Sequence, residues 1–358
     1  MESLETEKRV GSSRPRAASV VATWVALMVA AASGGAAGAA QSAVVPAPER
    51  AAENGTARTA AEEDEEGVVT ETRGRAPRGA RGPLLAASYL HSFDTPIDDG
   101  GSFATNTAFA AARLGFPIGA GFILGAQVSW QGDWYSFDGA NRVAPPPDAK
   151  PWADIQSFAG SVSLGRRLGN WWLNGAFTAR FSFEVGASIG DGFNPGGILG
   201  AQYTFSPGLR LGGGVLVNAR LEESPLIVPI PFVYWEISEQ LVLSNTIAPD
   251  AYPRGPGIEI AWRPTETWAL ALGGRWEFRR FRLDDDGPEI RRGGVGEDEG
   301  IPLWLRLTYR FRDNLRADVL GGYSVGNRLR LADARGNDLL SSGTEPIPYL
   351  GAFVAGQF

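Results

Sequence analysis

From residue 83 to its end, the chain alternates apolar and polar side chains with a period of two. That is the repeat of a β-strand whose two faces meet different surroundings. Between Trp171 and Val185 the odd positions read Trp171, Leu173, Gly175, Phe177, Ala179, Phe181, Phe183 and Val185, while Asn174, Thr178, Arg180, Ser182 and Glu184 hold even ones. Trp268, Leu270, Leu272, Gly274, Trp276 and Phe278 form a second series, with Arg275, Glu277 and Arg279 interleaved at its end. Leu303, Leu305, Leu307, Tyr309 and Phe311 alternate with Arg306, Thr308, Arg310 and Arg312. Leu315, Ala317, Val319, Gly321, Tyr323 and Val325 alternate with Arg316, Asp318 and Ser324.

These runs are longer than the roughly 5–6 residues of an ordinary soluble strand. They suit the ~9–11 residues a tilted strand needs to cross a bilayer. The pattern predicts strands near 84–93, 103–114, 120–132, 154–166, 171–186, 197–205, 208–221, 226–237, 240–247, 256–263, 267–281, 302–312, 315–331 and 348–358. Longer connections then fall near 94–102, 133–153, 187–196, 248–255, 282–301 and 332–347, and shorter ones mostly between them. Long outer loops against short periplasmic turns are the habit of outer-membrane barrels. The expected fold is therefore an all-β, transmembrane, antiparallel up-and-down barrel of about fourteen strands, with both barrel ends of the chain in the periplasm. Twelve strands is the alternative if 226–263, disturbed by Pro225, Pro229 and Pro231, folds inward. Trp130, Trp134, Trp171, Trp268, Trp276 and Phe311 suit interfacial girdles.

An arginine at the lipid midplane costs ~2–4 kcal/mol, so the charged face must point into the lumen. Arg180, Glu184, Arg275, Glu277, Arg279, Arg306, Arg310, Arg316 and Asp318 are the predicted lumen-lining residues. Around an open channel they would set ion selectivity. Paired across the lumen, they would fill it.

The first eighty residues differ in kind. Lys8, Arg9, Arg14 and Arg16 precede an apolar stretch from Ala17 to Ala32, and Ala37-Gly38-Ala39 offers an A-x-A cleavage pattern. This three-part layout predicts a secretory signal peptide over 1–39. The competing anchor helix would need ~20 strongly apolar residues. Residues 40–82 lack periodicity and carry the acidic run Glu62–Glu66 followed by Arg73, Arg75, Arg78 and Arg81. They read as a disordered periplasmic leader, leaving 83–358 as the barrel. Of 358 residues none is cysteine, which removes disulfides, thiolate metal sites and thiol catalysis. The net charge of −7 offers no basic field for nucleic acid.

The last strand ends in Leu350, Ala352, Val354 and Phe358 at alternate or terminal positions. Here the sequence resembles the C-terminal signal of bacterial outer-membrane proteins, although Gly356 departs from the pattern. That resemblance implies the barrel-assembly machinery as a partner during biogenesis. The middle of the chain resembles a family of uncharacterised bacterial outer-membrane barrels. The resemblance rests on Val228-Pro229-Ile230-Pro231 leading to Trp235, on Gly257-Ile258-Glu259, and on Arg275-Trp276-Glu277 before Arg282-Leu283. It implies a location and a fold, not a reaction.

Chemistry is sparse. The single histidine, His91, neighbours Ser92, but adjacent strand residues face opposite ways, so the two cannot make a nucleophile–base pair. Asp284–Asp286 and Glu297–Glu299 could offer oxygen ligands to calcium from one loop, without EF-hand spacing. Leu211-Gly212-Gly213-Gly214 lies on a strand, not at a phosphate-binding strand-to-helix turn. No cofactor, metal or catalytic residue is expected. The function expected is a pore-like or structural envelope barrel, with membrane lipid and small solutes as partners. A barrel enzyme acting on lipid or peptide, and a secreted soluble β-rich binding protein, are the alternatives.

Overall fold

The computed structural model describes residues 82–119, 121–139, 143, 150–245 and 256–358. The expected signal peptide and all of the leader but Gly82 lie outside them. Sixteen strand segments follow in order: β1 Leu84–Pro96, β2 Ser102–Pro117, β3 Phe122–Asp138, β4 Ile155–Leu168, β5 Trp171–Glu184, β6 Phe193–Ser206, β7 Leu209–Arg220 and β8 Glu223–Glu236. Next come β9 Leu241–Ser244, β10 Gly257–Trp262, β11 Trp268–Arg275, β12 Glu277–Arg282, β13 Val295–Arg312, β14 Leu315–Ala332, β15 Asp338–Gly343 and β16 Ile347–Gln357. Segments β11 and β12 both pair with β13, and β15 and β16 both pair with β14. Each couple is one interrupted stave, so sixteen segments make fourteen staves.

Every stave runs antiparallel to its neighbours, and β16 closes the ring on β1 from Leu84↔Gln357 to Ser92↔Tyr349. Closure gives every stave a neighbour on both sides, as a membrane-spanning sheet requires. Both barrel ends of the chain sit at one rim, called the near end, together with the two-residue turns at 169–170, 207–208 and 313–314.

The alternation read in the sequence sorts the side chains as expected. Val128, Val162, Phe177, Leu199, Leu272, Leu305, Val319 and Leu350 project outward and exposed. Their strand neighbours Gln131, Ala271, Trp304, Asp318 and Tyr349 are buried inside. At the near end Trp171, Tyr203 and Phe205 form one exterior aromatic group, and Trp268, Tyr309 and Phe311 another, with ring centroids 4.6–5.0 Å apart. Trp130 and Trp134 flank Gly132 nearer the other end, where an added Cβ would meet both indoles.

The prolines of β8 do not break the ring. Pro229 and Pro231 stand opposite Val215 and Gly213 of β7. The Pro231 carbonyl faces the β9 side, where the side-chain amide of Asn245 donates to it, and the ladder to β9 covers only Tyr234–Glu236. Their missing N–H groups therefore fall where no ladder bond is drawn, as proline in a sheet requires. Asn245 also accepts the Val233 N–H at 2.6 Å.

Two predicted loops are partly strand. Glu297, Asp298 and Glu299 belong to β13, which starts at Val295, and 338–343 of the expected 332–347 loop form β15. The extra length gives the barrel a second, smaller closure at its far end. There β12 reaches β5 directly, pairing in parallel at Arg282↔Phe183. Both staves ascend from near-end turns, and five intervening strands, β6 to β10, have been skipped, so the contact must be parallel. On the other side Thr344 bridges Ile97 of β1.

Candidate functional site

The extensions of β12–β15 lean over the far mouth and make a cap with a packed apolar core. Phe103, Tyr135, Trp152, Phe281, Leu329 and Leu331 are its main members, and Trp152 and both leucines have no exposed surface at all. The Trp152 ring meets Tyr135, Phe137 and Phe281 edge-on at 5.7, 5.7 and 5.2 Å. Such contacts are worth ~0.5–1.5 kcal/mol each beyond the area they bury. One defect remains: the Trp152 indole N–H is buried without a hydrogen bond among the described residues. An orphaned buried donor costs ~1–3 kcal/mol.

Ion pairs hold the cap on both faces. Beneath it, Arg279 Nη1 donates to Asp133 at 2.7 Å and Nη2 to Asp298 at 2.8 Å. Asp298 also accepts the Tyr135 hydroxyl at 2.7 Å, and Asp133 accepts Thr107 and Gln131. The network joins β12 and β13 to β2 and β3, nearly opposite staves of the full ring. Above it, Arg280 donates to the Leu221 carbonyl, Glu223 and Glu297 at 2.6–2.8 Å. Arg282 reaches Glu222 at 2.6 Å and the carbonyls of Asp191 and Gly293. Two arginines thus clamp the β7–β8 turn, where Glu222 is the one non-glycine with positive φ among the described residues (54°).

Glu184, at the top of β5, ties the loops together. Its carboxylate is 2 % exposed. Oε1 accepts the Ala153 N–H at 2.7 Å, Oε2 accepts the Asp284 N–H at 2.8 Å, and Arg291 donates to both. Arg291 carried no signal in the sequence, and neither did Trp152, which sits in a proline-rich connection.

The remaining predicted lumen residues separate into two groups. Deep in the wall, Arg306 pairs with Glu259 through Nε at 3.2 Å and through Nη2, and reaches Asp318 at 3.4 Å. Glu259 also accepts the Trp304 indole N–H at 2.8 Å, and Arg275 lies over the Trp304 ring at 5.3 Å. Thr308 donates to Asp318, and Arg316 stands 3.6 Å from it. Glu277 approaches Arg279 at 3.7 Å and lies within electrostatic reach of Arg180. Nearer the turns, Arg310 and Arg316 face each other across β13 and β14. The wall formed by β4–β8 is different, with Ser157, Ser161, Gly200, Gly214, Leu216 and Phe232 on its inner face. The Phe232 ring lies over Gly200 and Gly214, where a Cβ would sit 2.2–2.9 Å from it.

His91 points outward, with Nδ1 2.9 Å from Asn106 and its ring against Phe93 at 4.7 Å. Ser92 faces the lumen cavity below the cap. Glu297, Asp298 and Glu299 do not converge on a cation site. They alternate across β13 and engage Arg280, Arg279 and Trp276 respectively. Leu350, Ala352, Val354 and Phe358 share the outer face, and the Phe358 ring covers Gly356, where an added Cβ would come within 3.0 Å of it.

No family model matches the sequence, and no curated protein does. Solved structures do align. The translocator domain of the autotransporter NalP from Neisseria meningitidis matches at 10 % identity over 79 % of this chain and 91 % of that one, with a TM-score of 0.34. The KdgM porin matches at 9 % over 76 % and 99 %, with a TM-score of 0.30. The Pseudomonas putida toluene transporter TodX matches at 8 % over 77 % and 90 %, with a TM-score of 0.32. These likenesses concern the course of a chain around a barrel and bring no site or activity with them. A closed ring of fourteen antiparallel staves, apolar outside, aromatic toward its margins and polar within, gives this chain the architecture of an outer-membrane-type β-barrel.

Proposed function

We propose that the protein is a gated pore for small solutes, shut at its far end in the state described here. The observation that carries this reading is how the cap is attached. The wall staves share ladders as long as sixteen residue pairs, from Ser102↔Asp138 to Pro117↔Ile123. Across the mouth, by contrast, β12 meets β5 at a single pair, and Thr344 meets Ile97 at a single bridge. The cap is otherwise held by side chains, so it can lift without opening the ring. Its buried, unbonded indole lowers the cost of doing so. In this scheme the protein catalyses no reaction. The near end faces the periplasm and the cap faces outward, and Phe358 engages the assembly machinery during biogenesis.

The test is single-channel conductance of the refolded full chain in a planar bilayer. The native protein is expected to stay mostly shut, and Trp152→Ala and Arg279→Gln to give stable steps. If both variants fold, as shown by strand circular dichroism and heat-modifiable migration, yet neither conducts, the lumen is permanently filled and the role is structural.

A further inference from the structure

The near half of the lumen has a charge that the chain as a whole does not. The protein carries a net −7, yet Arg113, Arg210, Arg263, Arg310 and Arg316 all lie on the inner face within a few residues of near-end turns. The acids on that inner face are already engaged. Glu236 accepts the Tyr234 hydroxyl at 2.8 Å, and Asp318 serves Arg306, Thr308 and Arg316. Glu266 and Asp313 sit outside it in the turns.

Arg310 and Arg316 are direct cross-strand partners. Like charges in that position destabilise a sheet. The same row continues through Ala355, Ala86 and Ala111, which carry no charge to offset the pair. Arg210 stacks on Tyr234 at 4.1 Å while its Nε stays buried without a hydrogen bond. The Arg316 Nε, 3.6 Å from Asp318, is likewise buried without one among the described residues. Arginine keeps its charge at every accessible pH and presents paired donors that match carboxylate and phosphate oxygens.

We propose that this rim is a binding vestibule for small multivalent anions of the polycarboxylate or phosphate class. A bound anion offsets the Arg310–Arg316 repulsion, which the engaged acids nearby do not. The proposal deepens the pore reading by naming what the lumen takes up. Binding itself does not require passage.

The experiment is calorimetric titration of citrate into the detergent-folded full chain at low salt, with glycerol as the uncharged control. Citrate is expected to bind and glycerol not. Arg310→Gln combined with Arg316→Gln removes a repulsive pair and leaves Asp318 its bonds to Arg306 and Thr308; with folding checked by heat-modifiable migration, citrate affinity should fall at least about tenfold. Arg316→Lys, which keeps charge but loses the fork, should fall between. Absence of citrate binding to the native protein, or equal binding by the double variant, overturns the proposal. Ion selectivity of the Trp152→Ala pore separates it from the reading above. A conducting pore with no anion preference and no citrate binding removes the vestibule and keeps the pore. Citrate binding without any conductance removes the pore and keeps the vestibule.

Discussion

Replacing Glu184 by glutamine tests whether the cap is a separate, locally opening unit. Each carboxylate oxygen accepts one backbone N–H, from Ala153 at 2.7 Å and from Asp284 at 2.8 Å. A glutamine amide has only one oxygen, so its NH2 must face one of those two donors. The change also leaves Arg291, which donates to both oxygens, without its buried counter-charge. Removing one member of a buried ion pair costs ~3–5 kcal/mol, and here a donor–donor conflict accompanies it. One decade in an opening equilibrium is about 1.4 kcal/mol, so cap amides should exchange roughly two to four decades faster. The reporters are Leu283 N–H, bonded to Gly294 O at 2.9 Å, and the amides of β12 and β15. Amides in the β2–β3 and β4–β5 ladders should keep their native protection. Hydrogen exchange by mass spectrometry on the detergent-folded protein reads both sets in one experiment. Unchanged cap exchange would refute the linchpin role of Glu184. Equal acceleration in cap and wall would refute the separateness of the cap.

Three further perturbations probe the wall and a far-end turn. Arg306→Met strands Glu259 and Asp318, both almost fully buried, and should cost about 3 kcal/mol in urea titration; adding Glu259→Gln should recover part of it. Leu199→Arg places a charge on the lipid face at the middle of β6 and should lower stability in vesicles by ~2–4 kcal/mol, whereas Leu199→Phe should be near neutral. Asp333, partly exposed in the turn after β14, is held below the usual carboxylate range by hydrogen bonds from the Asn337 side chain and from the backbone N–H groups of Asn337 and Arg335. A depressed folded-state value means that its contribution is present at neutral pH and lost as pH falls through that value. The Asn337 amide should therefore lose intrinsic-rate-corrected exchange protection in acid, and Asp333→Asn should remove that pH dependence.

Much of the wall could be read in the sequence because a bilayer imposes one rule on every stave. Leu303, Leu305 and Leu307 face lipid, Arg306 cannot, and a period of two follows. The rule weakens where strands leave the membrane. Glu297-Asp298-Glu299 looks like a solvated acidic loop because its cations, Arg280 and Arg279, lie on another strand, and nothing local in 295–301 announces them. Trp152 follows a proline-rich connection with no periodicity, and its burial depends on Phe281 more than a hundred positions later. The fate of Arg280 and Arg282 was equally hidden. They occupy the face of β12 that continues the outer wall, and they are buried only because the short β7–β8 hairpin ends beneath them. Pro229 and Pro231 gave a warning that the geometry resolves, since both point toward the side of β8 where pairing is incomplete.

The parallel contact between Arg282 and Phe183 has a consequence for the order of events in time. It joins positions about a hundred residues apart, and it cannot form until β5, β12 and every stave between them have taken their places. Contacts of such wide sequence separation come late, because the intervening chain must be ordered before they are rewarded. The far mouth therefore seals only after the wall from β5 to β12 stands. An assembling molecule thus passes through an interval in which that mouth has no cover.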